Sequence, residues 1–294
     1  MKYAQRPMER AGIWLIYLVL IALSILCILP MIHVLAVSLS GAAPATAGQV
    51  TFWPIDWTWE SYRYVFGKAQ FIKAMGVSVE RVALGVTISM LLTVLAAYPL
   101  SKEQSEFRFR TAYAWVFVAT ILFSGGLVPS YMTIRTFHMI DTIWALVLPG
   151  AVAVFNTIVL LNFFRGLPRE LEEAAFIDGA GHGIVLFRLF LPMSLPAIAT
   201  LTLFSIVGHW NSWFDGLILM NSPSNYPLSS YLQTVIIGRE MTQLSPHDAV
   251  LLSRISEQTL KAAQIFAASL PVLIVYPFLQ RFFVKGIVLG SVKG

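Results

Sequence analysis

Charge is scarce in this sequence. Asp, Glu, Lys and Arg make up 12% of its 294 residues, about half the share of a soluble domain. Cysteine is almost missing. Cys27 stands alone in an apolar run, so no disulfide forms within the chain and packing is its expected role. His33, His138, His182, His209 and His247 are scattered, with no His-Glu-x-x-His helix or other metal spacing, so no metal site is expected. A Gly-x-Ser-x-Gly elbow is lacking, and so is a Gly-x-x-x-x-Gly-Lys-Ser/Thr phosphate loop. These absences argue against a membrane enzyme. No catalytic residue is expected, and any ATP chemistry must lie on a separate chain.

What fills the sequence instead is long apolar runs, with 57% hydrophobic residues. A spanning helix needs about 20 mainly apolar residues. Six stretches qualify: Ala11–Leu39, Val82–Leu100, Ala112–Met132, Ile143–Phe164, Pro192–Met220 and Ala262–Leu279. The expected fold is therefore all-α, a polytopic membrane protein with six transmembrane helices in a single domain over 1–294. Lys2, Arg6 and Arg10 ahead of an apolar run resemble the start of a signal peptide. Ala11–Leu39 is too long for such a peptide's apolar region of about 7–15 residues, and is read as a retained first helix.

The net charge of +5 is read as anchoring charge rather than as a nucleic-acid footprint. Twelve of the twenty Lys and Arg residues fall in one set of mostly short segments, around Lys2–Arg10, Lys102–Arg110, Arg165–Arg188 and Arg281–Lys293. The other eight spread over longer loops. The denser side should be cytoplasmic, which places both termini and the segment of about 165–191 there. The two long outer loops run over about 40–81 and 221–261. Trp53, Trp57, Trp59, Tyr62 and Tyr64 in the first suit a membrane–water boundary better than a sugar-stacking surface.

The polar segment between the fourth and fifth runs is the richest in pattern. Pro168 suits a helix start. Glu170, Glu172 and Glu173 fall in the early turns, where carboxylates favour the positive helix end. Ala174 and Ala175 are small helix formers, and Gly179 can end the helix in a left-handed conformation. Asp178 precedes that glycine. After nine further residues come Leu189-Phe190-Leu191-Pro192. A short, capped, rigid element is expected, suited to receive a push and pass it to the fifth helix.

The Glu173-Ala174-Ala175 spacing to Gly179, Leu191 and Pro192 resembles the loop by which permeases of bacterial carbohydrate ABC importers dock on their ATPase. The resemblance extends along most of the chain. It includes Ala97-Tyr98-Pro99-Leu100-Ser101, Gly125-Gly126-Leu127-Val128-Pro129, Asn156-Thr157-Ile158, Gly208-His209-Trp210-Asn211-Ser212-Trp213 and the C-terminal Gly290–Gly294. It implies the type I importer fold, with the 173–179 helix as coupling helix and Lys293 and Gly294 reaching the ATPases. It also implies the partners: a second permease in a heterodimer, two ATPase subunits that bind ATP and Mg, an extracytoplasmic solute-binding protein, and the bacterial inner membrane as location. The branch suggested is the one for oligosaccharides and polysaccharides such as alginate. Pro99 departs from the family pattern and predicts a local kink. Gly181-His182-Gly183 departs too, and predicts a loosened helix end.

Polar and aromatic groups in apolar spans are candidates for a solute path. They are Asn156, His209, Trp210, Asn211, Trp213 and Asp215. In lipid such groups must face protein or a wet cavity. Hydrogen bonding between helices is an equally good reading of them. The rival function is an ion-coupled secondary transporter. It is disfavoured because the centres of the six runs lack Asp, Glu, Lys and Arg.

Overall fold

The computed structural model describes residues 7–237 and 255–291. Among them the regular structure is helical throughout. The chain divides into two compact units, Met1–Phe71 with Val235–Leu270, and Ile72–Thr234 with Pro271–Gly294.

In the first unit, α1 spans Pro7–Ser38. Its 27 residues Gly12–Ser38 reach about 40 Å at 1.5 Å per residue, enough for a hydrocarbon core of about 30 Å. Nothing in its most apolar window is buried against the rest of the chain; Trp14 is 72% exposed. Such a surface is stable in lipid or against another subunit. The end of α1 is fastened. The Gly41 N–H donates to Ile55 O at 3.0 Å, the Thr58 N–H donates to Leu39 O at 3.0 Å, and the Ser38 and Tyr62 hydroxyls share a bond of 2.7 Å. Helices α2 (Ala42–Thr46) and α3 (Glu60–Gly67) follow. Trp53, Trp57 and Trp59 stay exposed, as in an interfacial belt.

Helix α4, Ala69–Ser101, starts well before the expected Val82. Arg81 therefore belongs to a helix rather than a loop. The helix continues through Pro99, which has no N–H for the Leu95 carbonyl four residues before it. The third expected span is α5 (Arg110–Leu122) and α6 (Leu127–Thr136), bent by 115°. Gly126 at the bend has φ 80°.

The fourth expected span, Ile143–Phe164, is not one helix. It forms α7 (Ile143–Val147) and α8 (Val154–Arg165). Pro149 and Gly150 lie between them; one lacks a donor and the other disfavours helix. The 12 residues of α8 extend about 18 Å, short of a bilayer core. Next come α9 (Arg169–Ile177), α10 (His182–Met193), α11 (Leu195–Asn211) and α12 (Phe214–Leu219). The fifth expected span, Pro192–Met220, is thus bent by 80° at Ser194, between Pro192 and Pro196, and broken again at Ser212 and Trp213. After α13 (Leu228–Ile237), the last helix, α14 (Glu257–Ser291), holds the sixth.

Among the described residues, six unbroken spans are not found. Helices α1, α4 and α14 are each long and apolar enough to cross, and the two bent pairs raise the number to five. Hydropathy registers apolar length, but not where proline and glycine interrupt it.

The core of the second unit joins Val94, Ala97 and Tyr98 of α4, Leu160 and Phe164 of α8, Val185, Leu186 and Phe190 of α10, and Leu201 of α11. It underlies α9.

Candidate functional site

Helix α9 begins at Arg169, with Pro168 at the N-cap at φ −60°. Glu170 and Glu172 occupy the first turn, where carboxylates oppose the positive helix end. The helix ends in a Schellman motif. The Gly179 N–H donates to Phe176 O at 3.0 Å and the Ala180 N–H to Ala175 O at 2.9 Å, so carbonyls with no partner inside the helix are satisfied. Gly179 has φ +83°, a conformation that side chains other than glycine's rarely adopt. Ala175 and Ala180 rest on the core beneath.

The back of α9 is fastened from two sides. Lys102, 7% exposed, forms an ion pair with Glu172. Its Nζ also lies 4.3 Å from the Tyr98 ring centre and 4.5 Å from that of Phe190, so two aromatic faces help hold the cation. The Tyr98 hydroxyl meets His182 Nδ1 at 3.1 Å, and the His182 ring packs edge-on against Phe176 at 5.1 Å. His182 therefore pins the segment that its two flanking glycines were expected to loosen. Arg165 and Arg110 donate to the carbonyls of Leu100 and Lys102, at 3.1 and 3.0 Å, at the C-terminal end of α4. An exposed pair, Arg169–Glu103, adds little. A cavity of about 450 Å³ lies among Lys102, Glu106, Arg165, Glu172 and Glu173.

The front of α9 is open. Glu173, Ala174, Ile177 and Asp178 are exposed, Ile177 by 86%. Positions 170, 173, 174 and 177 form one helical face. A fastened helix that presents an uncovered Ile beside acidic groups has the form of a docking element. Leu191 is half-buried on the core, whereas Pro192 is exposed. Just before Pro192 the chain makes a π-helical turn, Val185–Phe190, and the Leu191 N–H donates to Leu186 O. The proline has no N–H for the Arg188 carbonyl, and a widened turn accommodates its ring.

A second cavity, of about 390 Å³, is lined by Asn156, His209, Asp215, Arg81 and Ser89 among others. It unites three of the six expected path residues. The others do not line it: Trp210 is 8% exposed inside the protein, while Asn211 and Trp213 are exposed elsewhere. Arg81, 2% exposed, forms a two-pronged ion pair with Asp215, one arm at 3.2 Å, and donates to Ser212 O at 3.0 Å. The His209 ring lies against Gly85. A Cβ there would come within 2.6 Å of Cε1 and Nε2.

Comparison with known proteins now bears on this arrangement. The family of binding-protein-dependent transport system inner membrane components matches residues 86–288. The chain belongs to this family. It is 38% identical over 280 residues to the polygalacturonan/rhamnogalacturonan transport system permease protein YtcP of Bacillus subtilis (strain 168), covering 95% of this chain and 97% of that one. It is 40% identical over 267 residues to protein LplC of the same organism, covering 91% and 90%. A crystal structure of a bacterial ABC transporter involved in the import of the acidic polysaccharide alginate superimposes with a TM-score of 0.85 at 27% identity, covering 95% of this chain and 99% of that one.

The permease is thus a membrane transport subunit with the type I importer fold, and its relatives are sugar importer permeases. In this family ATP and Mg belong to the ATPase partner, and a second permease and a binding protein complete the importer. Sequence reasoning missed three residues of the two candidate sites. Lys102 and Arg81 had been counted only as loop charge, and Gly85 was one more small residue in an apolar run. A lysine at the end of an apolar run, followed by acidic residues, was the one available signal. Lys293 and Gly294 lie outside the described residues.

Proposed function

We propose that this permease imports an acidic, uronate-rich oligosaccharide or polysaccharide, and that it is driven by an ATPase docked on the open face of α9. The observation that carries the coupling role is the contrast between the two sides of α9. Its back is held by Lys102–Glu172 and Tyr98–His182, and its front is uncovered at Glu173, Ala174 and Ile177. A helix held this way moves with whatever grips it, and through Leu191 and Pro192 it passes that motion to α11. The mechanism is alternating access. ATP closes the ATPases, α9 moves with them, the path opens outward to accept sugar, and hydrolysis reverses the motion. On this reading residues 1–294 form one permease domain, both termini and the 165–191 loop face the cytoplasm of a bacterial cell, and the loops of about 40–81 and 221–261 face outward toward the binding protein. Asn156, His209 and Asp215 line the path, and Lys293 and Gly294 touch the ATPases.

The acidic cargo is supported by the relatives. One is named for polygalacturonan and rhamnogalacturonan, and the structural neighbour imports alginate. Polygalacturonan and alginate are both chains of uronate rings. The test is uptake of labelled oligogalacturonate, alginate oligomers and a neutral maltooligosaccharide by the assembled importer in ATP-loaded proteoliposomes. Uptake of a uronate oligomer and not of the neutral one is expected. Preference for the neutral sugar would overturn the reading.

A further inference from the structure

The Arg81 guanidinium is almost wholly buried, lines the cavity beside His209, Asn156 and Ser89, and has an Nε without a hydrogen-bond partner. A buried cation is costly unless it is fully paired. Two of its three acceptor atoms, by contrast, have donors to spare. The Ser212 carbonyl also accepts from the Ser229 hydroxyl at 2.7 Å. Asp215 Oδ1 accepts from the Ser212 hydroxyl and from the Gly216 N–H, each at 2.9 Å. An arginine that merely stitched the break between α11 and α12 would be the sole donor to the freed carbonyl. Here the Ser212 carbonyl and Asp215 Oδ1 keep donors if Arg81 turns away, and only Asp215 Oδ2, on a side chain 29% exposed, gives up its partner.

We propose that Arg81 is the specificity-determining residue of this cavity and takes the carboxylate of a uronate ring, exchanging Asp215 for it as the sugar passes. The proposal rests on the uronate reading above. A guanidinium presents two parallel N–H groups that match a carboxylate, which an ammonium does not. Asp215 is the resting counter-charge, so the empty cavity holds no unpaired cation. It reclaims Arg81 when the sugar leaves. Exchange between two carboxylates keeps the site weak enough for release, as conduction requires. Asn156 and His209 offer hydrogen-bonding groups to ring hydroxyls. A neutral sugar gains nothing from the exchange, because it cannot replace Asp215.

The test uses the assembled importer, with its binding protein, in proteoliposomes. Uptake of labelled oligogalacturonate is compared with uptake of its methyl-esterified counterpart. The double variant R81Q/D215N removes both charges together, so neither is left buried alone; R81K keeps the charge and loses the fork. The ratio of acid to ester uptake should fall about tenfold or more in the double variant, with R81K between it and the natural protein. An unchanged ratio, whether both uptakes fall or neither does, makes Arg81 a structural stitch and overturns the proposal. Failure of the natural importer to take up any uronate oligomer overturns the uronate reading itself, and this proposal with it.

Discussion

Arg81 and Asp215, 134 residues apart in sequence, form a two-pronged ion pair that closes over the break between α11 and α12. The two partners are unequally placed. The Arg81 side chain is 3% exposed and that of Asp215 is 29% exposed.

The unequal burial predicts unequal costs. Asp215→Asn strands a buried cation and should destabilise by about 3 kcal/mol, the usual penalty for breaking such a pair from one side. Arg81→Gln leaves Asp215 with the Ser212 hydroxyl and the Gly216 N–H, and should cost clearly less. Thermal unfolding in detergent decides, and equal losses would contradict the asymmetry.

Lys102 and Glu172 should behave as one unit. Both are largely buried, so either single alanine variant should lose about 3 kcal/mol. The double variant should lose much less than the sum of the two. A double-mutant cycle with a coupling energy below about 0.5 kcal/mol would show the pair to be incidental. In the importer, loss of the pair should also weaken sugar-stimulated ATP hydrolysis, because α9 then loses its buried ion pair with Lys102 and is held less firmly.

Replacing Gly179 with valine should abolish uptake while the protein still inserts in the membrane. Space is not the obstacle, since a Cβ would meet nothing within 4 Å. The cost is conformational, about 1–2 kcal/mol for a side chain forced to positive φ, and a β-branched residue suffers most. Asparagine tolerates that region better, so Gly179→Asn should retain part of the uptake. Normal uptake by the valine variant would count heavily against the coupling role.

Gly85→Ala should impair uptake for a different reason, because its Cβ overlaps the His209 ring. Either the ring is pushed into the cavity or α4 and α11 separate. Uptake should drop severalfold with unchanged membrane levels, and His209→Ala in the same background should restore part of it.

Asp141 ties the turn at 221–225 to the α6–α7 loop. The Ser222 hydroxyl, at 2.7 Å, is the main cause that holds its carboxyl below the ordinary range, helped by the Ser222 N–H, the Asn225 amide and the Asn221 N–H. A lowered folded value means that this contribution is present above the unfolded pKa of about 3.9 and is lost as pH falls through the folded one. The tie should hold at neutral pH and loosen below about pH 4. Asp141→Asn should remove that part of the pH dependence, as followed by the unfolding temperature across pH 3–7.

Much of α9, the proposed coupling element, was legible in the chain itself. Glu172, Ala175, Asp178 and Gly179 act within a few residues of one another, and capping, helix-end charge and left-handed glycine are local rules. The resemblance to importer permeases rested on the same local spacing. Apolar run length also marked the first, second and sixth runs, which lie in helices long enough to cross a membrane, because hydropathy needs no partner. Where the runs break was only partly legible. Pro149-Gly150 splits the fourth run, but α1, α4 and α14 run on through Pro30, Pro99, Pro271 and Pro277, so a proline by itself does not mark a break.

The sequence by itself determined a membrane-embedded helical chain, with a capped polar helix between two apolar regions. Only the tertiary structure decided that Lys102 grips Glu172, that Tyr98 pins His182, and that Arg81 rather than Trp210 shares a cavity with Asn156, His209 and Asp215. Pairings across 70 to 134 residues depend on how bent helices pack. A buried charge is stable only where that packing brings its partner, and no local pattern records it.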